Sequence, residues 1–591
     1  MTIPYDAPTA QMRSAIDHAA RSAGLDRVAQ ARDALADVTQ SVLENAARFA
    51  REVLSPLNPI GDRQPPRCTS EGVTASPGFG AAYERFRNDG WTTLSVPADC
   101  GGMGLPSLIA AAAGEMWAGA NLSFAMCPEV AIGAIEALRH HAPASLRERY
   151  LPALVSGEWT ASMCLTEPQA GSDLSTVRTR AEPDGSDDGS WRLFGRKIYI
   201  SWGDHDFAEN IVHLVLARTP HAPEGVKGIS LFLVPKRVPM KDGALADNDI
   251  RATSIEHKMG IRGSPTCTMA LGERDGSRGW LIGQQHEGLA CMFTMMNVMR
   301  LGVGIHSLGI AERALQLART HAHERQQGRT TAGPNRPIVE HADVRRMLLT
   351  MKALTLAARG LVYTTAATLD VAELAADEAT RSAALTRASL LTPVVKAWVS
   401  DTGAEVASLG VQVHGGTGYI DDAEISQIFR DSRIGPIFEG TNYIQAQDLL
   451  GRKIVRERGG TLNALLDDMD CSANALPADD ARVTSLRTQL LEGSAHLREA
   501  AARIIRESPS DPELIGSVAH HFLQWLGVLI GGWQWAQYAA SAVGGKRDAD
   551  GDATLDTAAF YAAHILPRMR MHAAIVAAGS KPVATAPPAS I

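Results

Sequence analysis

Apolar residues recur three and four positions apart over residues 30–60, 104–158, 285–330, 340–380 and 385–413, the spacing of one face of a helix. Leu308, Ala311, Leu315 and Ala318 form one such stripe, and Val344, Met347, Leu348 and Met351 form another. Between residues 160 and 282 the pattern changes to short runs rich in β-branched and aromatic residues, at 191–201, 211–217, 229–234 and 266–271. Asp/Gly turns such as Pro-Asp-Gly-Ser-Asp-Asp-Gly at 183–189 separate them. One strand block is therefore predicted between two helical blocks. Helices resume after residue 452, with breaks at Pro477, at 508–512 and at 544–552. The apolar stretch 522–543 is interrupted by Gln524, Gly531, Gly532, Gln534 and Gln537. It falls short of the ~20 apolar residues a membrane span needs and reads as a buried or interfacial helix. The last residues, 579–591, carry one charge and no apolar period, which predicts a frayed tail.

The 591 residues are enough for several cores. Lysine and arginine total 57 against 65 acidic residues, a net charge of −8, which disfavours nucleic acid or an anionic membrane as partner. Seven scattered cysteines, with no C-x-x-C pair, disfavour a disulfide framework or a zinc site. The N-terminus lacks a basic start followed by an apolar run, and Asp6 and Asp17 do not suit a mitochondrial presequence. The cytoplasm is the expected location.

Four strings carry candidate chemistry, and each has a bland alternative. Met163-Cys-Leu-Thr-Glu-Pro-Gln-Ala-Gly-Ser-Asp173 offers the Thr166 and Ser172 hydroxyls and the amides near Ala170 and Gly171 to a flavin edge or a phosphate; alternatively it is a plain connector. In Lys197-Ile-Tyr-Ile-Ser-Trp-Gly203, strand alternation places Tyr199 and Ser201 on one face and Ile198, Ile200 and Trp202 on the other, unless Tyr199 simply fills the core. Gln412-Val-His-Gly-Gly-Thr-Gly-Tyr419 lets backbone approach a ligand or merely caps a helix, with His414 structural. In Ile437-Phe-Glu-Gly-Thr-Asn-Tyr-Ile-Gln445, burial beside Ile437 and Phe438 would make Glu439 a stronger base, whereas an exposed Glu before a helix would only complement its dipole.

Taken together and in this order, with the stretches at 97–106 (PADCGGMGLP), 257–267 (HKMGIRGSPTC) and 324–329 (ERQQGR), these strings resemble the acyl-CoA dehydrogenase family over residues 40–452. The start at 5–13 and about 140 further C-terminal residues resemble a longer bacterial subgroup, the 3-methylmercaptopropionyl-CoA dehydrogenase-like proteins. The resemblance implies an α+β fold. It would comprise an N-terminal extension (1–40), an N-terminal helical domain (41–160), a middle β-domain (161–282), a C-terminal four-helix bundle (283–452), an appended helical domain (453–578) and a flexible tail (579–591).

The resemblance also implies a function: FAD takes a hydride from Cβ of an acyl-CoA thioester while a glutamate removes the α-proton, giving a trans-2-enoyl-CoA. Glu439 matches that glutamate. Thr166, Ser172, Tyr199, Ser201, Arg325, Gln412, Gly416 and Thr441 match FAD-contacting positions, with Arg325, Gln412 and Gly416 reaching across a subunit interface. Ser172, Asn297 and Arg300 match acyl-CoA-binding positions, with Asn297 standing where Asp is usual. Trp202 replaces a residue that is usually small or polar, and the helix end after Arg325 is one residue shorter than in medium-chain members. The implied partners are an electron-transfer flavoprotein and a second copy of the chain, as a homodimer or a dimer of dimers, with no metal, no nucleic acid and no transmembrane segment. Three other readings remain open. One is an acyl-CoA oxidase that shares fold and base. Another is a DNA-associated flavoprotein of the same fold, which the mixed charges after residue 452 (Asp467, Asp468, Asp470, Asp479, Asp480) disfavour. The third is peripheral membrane attachment through Trp525, Trp533 and Trp535, for which a subunit contact is the favoured alternative.

Overall fold

The four predicted strands form, and four more join them in one eight-stranded sheet. We label its members β1 (Trp159–Cys164), β2 (Arg180–Pro183), β3 (Ser190–Ser201), β4 (Asn210–Arg218), β5 (Ile229–Pro235), β6 (Ile250–Ile255), β7 (Thr266–Leu271) and β8 (Ser277–Ile282). The spatial order is β6-β7-β3-β8-β5-β4-β1, with β2 pairing β3 and β4. The computed structural model describes residues 3–587 apart from Lys241, Ala332, Ala478, Asp479 and 545–548. Asp479 of the acidic group, the end of the tail and part of the 544–552 break thus lie outside the described residues.

β4 and β5 are buried along nearly their whole length because both faces of the sheet are covered, which is why they read as continuous apolar runs. Val212, Leu214 and Leu216 face one core with Leu231 and Leu233, while Val215, Ala217, Phe232 and Val234 face a second. The sheet lies in a unit made of residues 46–105 and 116–302. A two-stranded hairpin, Arg67–Thr69 with Gly72–Thr74, interrupts the predicted helical block, its turn made possible by Gly72 at φ +122°.

The other unit holds residues up to 45, residues 106–115 and everything from Val303 onward. α1 (Thr9–Ala23) forms in the N-terminal extension, where no apolar stripe is read, and the long helices predicted from the stripes are present: α2 (Ser107–His141), α3 (Gly288–Glu324), α4 (Ala342–Leu374), α5 (Glu378–Val394) and α6 (Ser400–His414). A π-helical turn, Val395–Val399, joins α5 to α6. α2 kinks at Asn121, whose carboxamide oxygen accepts from the Phe124 amide (3.1 Å) and restarts the helix. After the short α7 (Asn442–Gln447), the appended region is helical, and its longest apolar helix is α8 (Leu514–Gly544).

α8 corrects two expectations. By length and composition it can cross a membrane, as can α2 and α3, although each has more than half of its apolar window buried inside the protein. Trp525, Trp533 and Trp535 form neither an interfacial face nor a subunit contact, because they are 3%, 4% and 1% exposed within this chain. The Trp533 indole donates to Ser472 Oγ (2.9 Å) and that of Trp535 to the Ala353 carbonyl (3.0 Å). The start of the tail, expected to fray, is also ordered: Ser580 donates to Asp511 (2.6 Å) ahead of a one-turn helix, Lys581–Ala584. In the appended region Arg498 pairs with Asp467 and Asp470, and Arg482 with Asp480 and Asp552. These arginines are committed to carboxylates rather than set out as a stripe for phosphates.

Candidate active site

The turn after β1 is built on a buried charge pair that sequence reasoning missed. The Glu167 carboxylate accepts from Lys197 Nζ (2.8 Å), the Thr179 hydroxyl (2.6 Å), the amides of Arg178 (2.8 Å) and Thr179 (3.0 Å), and Gln169 Nε2 (2.6 Å). Lys197, fully buried on β3, also donates to the Leu165 carbonyl (3.0 Å). Two residues thirty positions apart in sequence thereby fix the whole turn. Burial pushes the Glu167 carboxyl up, but the Lys197 ammonium and the hydrogen bonds from Lys197, Thr179 and Arg178 outweigh it and hold the group at about 2. A carboxyl depressed from 4.5 contributes stability that is complete above that pH and is lost as pH falls through 2. Urea midpoints measured between pH 2 and 6 are therefore expected to fall less steeply with acid in Glu167→Gln than in the wild type.

On this support the turn presents Thr166 half-buried and Ser172 exposed, neither hydroxyl having a hydrogen-bond partner among the described residues. Among the described residues, nothing lies within 4 Å of a Cβ placed on Gly171. The Ala170 amide is not on offer, since it donates to the Glu167 carbonyl (3.0 Å) in closing the turn. The Ile198 amide donates to the Thr166 carbonyl (2.9 Å), which brings the turn beside the end of β3.

There the simple alternation fails. Between Lys197 and Ile200 the strand carries one residue more than β7 does between Met269 and Cys267, a β-bulge. Tyr199 sits in it at φ +59° and is 60% exposed, so it does not fill the core; Ser201 is half-buried and its hydroxyl has no hydrogen-bond partner among the described residues. Trp202, also left-handed at φ +52°, turns inward, donates to the Ser123 carbonyl (3.2 Å) and stacks on Phe79. The unusual tryptophan is thus spent on packing. An exposed ring, a half-buried hydroxyl and the unengaged hydroxyls of the neighbouring turn fit the edge of a flavin, a planar group with both donors and acceptors.

Of the expected acyl-CoA residues on α3, Asn297 is exposed, while Arg300 is only 6% exposed. The Arg300 guanidinium donates to Asn297 Oδ1 (3.3 Å) and lies 5.8 Å from the Phe293 ring centroid. Arg300 therefore orients the residue that is presented.

The remaining residues lie in the other unit. Arg325 is exposed at the foot of the hairpin that follows α3, with Nη2 donating to Gln327 (3.4 Å). Gln412 and Gly416 are exposed at the end of α6. Gly415, at φ +60°, takes the helix-cap role, leaving Gly416 with nothing among the described residues within 4 Å of a Cβ. His414 stacks on His321 of α3 (centroids 4.4 Å apart), which ties the two helix ends together, and burial holds both imidazoles below their usual pKa.

Glu439 is half-buried, at φ +57°, followed by Gly440 at φ +80°. Two successive left-handed residues make a sharp turn that costs a non-glycine residue on the order of 1–3 kcal/mol, the kind of strain found at functional sites. The apolar shield expected beside it is one-sided, for Ile437 is 57% exposed and Phe438 half-buried. Thr441 caps α7, its hydroxyl oxygen accepting from the Ile444 amide (3.3 Å), and its proton remains free to donate. Gln445, fully buried, donates to the Glu439 carbonyl (3.4 Å), and its Oε1 has no hydrogen-bond partner among the described residues. A buried orphan acceptor beside this loop is what a bound hydroxyl would satisfy.

Sequence profiles for the acyl-CoA dehydrogenase N-terminal, middle and C-terminal domains match residues 37–158, 162–273 and 286–454, and one described as acetyl-CoA dehydrogenase C-terminal like matches 465–587. The chain belongs to the acyl-CoA dehydrogenase family of oxidoreductases. Within it, the chain is similar to the 3-methylmercaptopropionyl-CoA dehydrogenase of Ruegeria pomeroyi, 41% identical over 91% of each chain. It is also similar to the broad-specificity linear acyl-CoA dehydrogenase FadE5 of Mycobacterium tuberculosis, 32% identical over 89% of this chain and 88% of that one. An acyl-CoA dehydrogenase from Bacillus anthracis, solved in complex with FAD, shares the fold with a TM-score of 0.74 at 22% identity, over 91% of this chain and 88% of that one. The family, the longer subgroup and the appended helical region read from the motifs are those found.

Proposed function

We propose that the protein catalyses the FAD-dependent α,β-dehydrogenation of an acyl-CoA thioester to the trans-2-enoyl-CoA, with 3-methylthiopropionyl-CoA or a fatty acyl-CoA as substrate. The observation that carries this reading is the 41% identity to the Ruegeria pomeroyi enzyme over nine-tenths of both lengths. Bound FAD supplies the hydride acceptor. The chain's own residues do the rest. Thr166, Ser172, Ser201 and Thr441 donate to the cofactor, and Tyr199 covers a flat part of it. Asn297, held by Arg300, and Ser172 meet the coenzyme A portion.

Glu439 removes the α-proton. Its main-chain amide holds the thioester oxygen, on which enolate charge develops, so that one residue serves both as base and as part of the oxyanion site. The exposure of Arg325, Gln412 and Gly416 supports their reaching the FAD of a second copy, in a homodimer or a dimer of dimers. Electrons then pass to an electron-transfer flavoprotein. The free cysteines, at seven positions, suit a reducing cytoplasm.

A panel of acyl-CoAs assayed with an artificial electron acceptor tests the reading. The expected result is turnover with 3-methylthiopropionyl-CoA or with a short or medium straight chain, and slow reoxidation of the reduced enzyme in air. Absence of turnover across the panel would overturn it, and fast reoxidation by oxygen would make the protein an oxidase.

A further inference from the structure

The loop that carries Glu439 is anchored by α7, and α7 is anchored by the appended region. The Asn442 amide donates to the Pro436 carbonyl (3.1 Å), closing the loop at its base, and the Asn442 side chain is 8% exposed. Its Oδ1 accepts from Lys396 Nζ (2.9 Å), on the π-helical turn, while its Nδ2 donates to Asp401 Oδ1 (2.9 Å). The other carboxylate oxygen of Asp401 accepts from Nε2 of Gln524, on α8 (2.5 Å). Asp401 therefore stands between two donors, one from the loop's anchor and one from the appended helix.

The approach is close and has a definite face. A Cβ on Gly527 would lie 2.3 Å from the Trp398 ring, so only glycine lets α8 come this near the π-helical turn. Gln524 lies three residues before Gly527 and so shares its face. Earlier on the same helix the Gly516 carbonyl accepts from the Tyr443 hydroxyl (3.1 Å), a second tie to α7.

We propose that Gln524 is a positioning residue for the base: acting through Asp401 and Asn442, it sets the start of α7 and with it the backbone from which Glu439 projects. The inference rests on the reading of Glu439 as base. It gives the appended region a part in the reaction, as the outer support of the Glu439 loop.

The test uses full-length, flavin-loaded enzyme with Gln524→Leu, Gln524→Glu, Asp401→Asn and the double variant Asp401→Asn/Gln524→Glu. Gln524→Leu is expected to lower kcat about ten-fold, with KM and flavin content little changed, since small misplacements of a reacting group are costly. Gln524→Glu sets two carboxylates against each other, and Asp401→Asn sets an amide donor against one of the two donors, so each alone also loses kcat. The double variant restores the order of donors and acceptors: the carboxamide now at position 401 donates to the carboxylate now at position 524 and accepts from Asn442. It is expected to recover most of the wild-type kcat. A merely structural role would lower the unfolding temperature without selective loss of kcat and without that recovery. Wild-type kcat in Gln524→Leu, or a double variant no better than either single one, would overturn the proposal; if Gln524→Leu does not fold, the comparison of Gln524→Glu with the double variant decides. Glu439→Gln is run alongside. If it is inactive while Gln524→Leu is fully active, only the positioning role fails; if it is active, the base assignment fails, and the positioning role with it.

Discussion

Glu439→Gln, purified with its flavin, is expected to lose acyl-CoA turnover by about 10²–10⁴-fold, the contribution of a positioned general base. The substitution is nearly isosteric, so the comparison isolates proton acceptance. The main-chain features of the loop survive it: the left-handed turn at 439 and 440, the bond from Gln445 to the residue 439 carbonyl, and the bond from the Asn442 amide to Pro436. KM is accordingly expected to stay within a few-fold, because an interaction made only in the transition state is lost and ground-state binding is not. The flavin spectrum of the resting variant should match the wild type, and stopped-flow reduction by substrate should slow by the same factor. Glu439→Asp keeps a carboxylate but withdraws it by one methylene, and an intermediate loss is expected. Turnover above a tenth of the wild-type value in Glu439→Gln would move the base to another group.

Much of this architecture is legible in the chain, and the failures share a cause. The runs at 211–217, 229–234 and 266–271 are strands in the structure, extended by no more than a residue or so, because a strand buried on both faces must be apolar throughout. The stripes of α3 and α4 are legible because a 3.6-residue period is long and repeated. The outward placement of Tyr199 is not, because alternation carries no mark of an inserted residue: the bulge is defined by the partner strand, β7, which lies about seventy positions away. The supports of the site are invisible for the same reason. Glu167 and Lys197 look like ordinary surface charges until the fold brings them together, and the path from Asn442 through Asp401 to Gln524 spans 123 positions in its last link. The three tryptophans of α8 read as an outward face because their surroundings, among them Ser472 and Ala353, come from distant segments. Local chemistry is readable in the motifs, whereas what holds each motif in place is nonlocal.

The largest expected loss of stability lies in another such nonlocal cluster. Arg359 on α4 has no exposed surface. Its Nε donates to both Glu115 oxygens (3.1 and 3.2 Å), and its Nη2 donates to Glu115 Oε1 (2.6 Å) and to Glu312 Oε2 (2.8 Å). The Tyr363 hydroxyl donates to the other Glu115 oxygen (2.6 Å), and Gln316 donates to Glu312 (2.9 Å). Burial, reinforced by the Glu115 charge, pushes the Tyr363 phenol well above its usual pKa, so it stays a donor. One cation thus pairs with two carboxylates, one from α2 and one from α3. Arg359→Met removes it and leaves both acids in an apolar interior. The expected loss is about 3–5 kcal/mol, because the desolvation of the two carboxylates is no longer offset. Chemical unfolding at neutral pH should show this as a lower urea midpoint at unchanged slope. Much of that loss is the penalty of orphaned charge and not the worth of the ion pairs themselves. Arg359→Met combined with Glu115→Met and Glu312→Gln should therefore regain more than half of it, as buried pairs replaced by apolar groups of similar volume often do. An Arg359→Met variant within about 1 kcal/mol of the wild type would mean that water or rearranged side chains reach the two carboxylates, and that the cluster does not bind these three helices together.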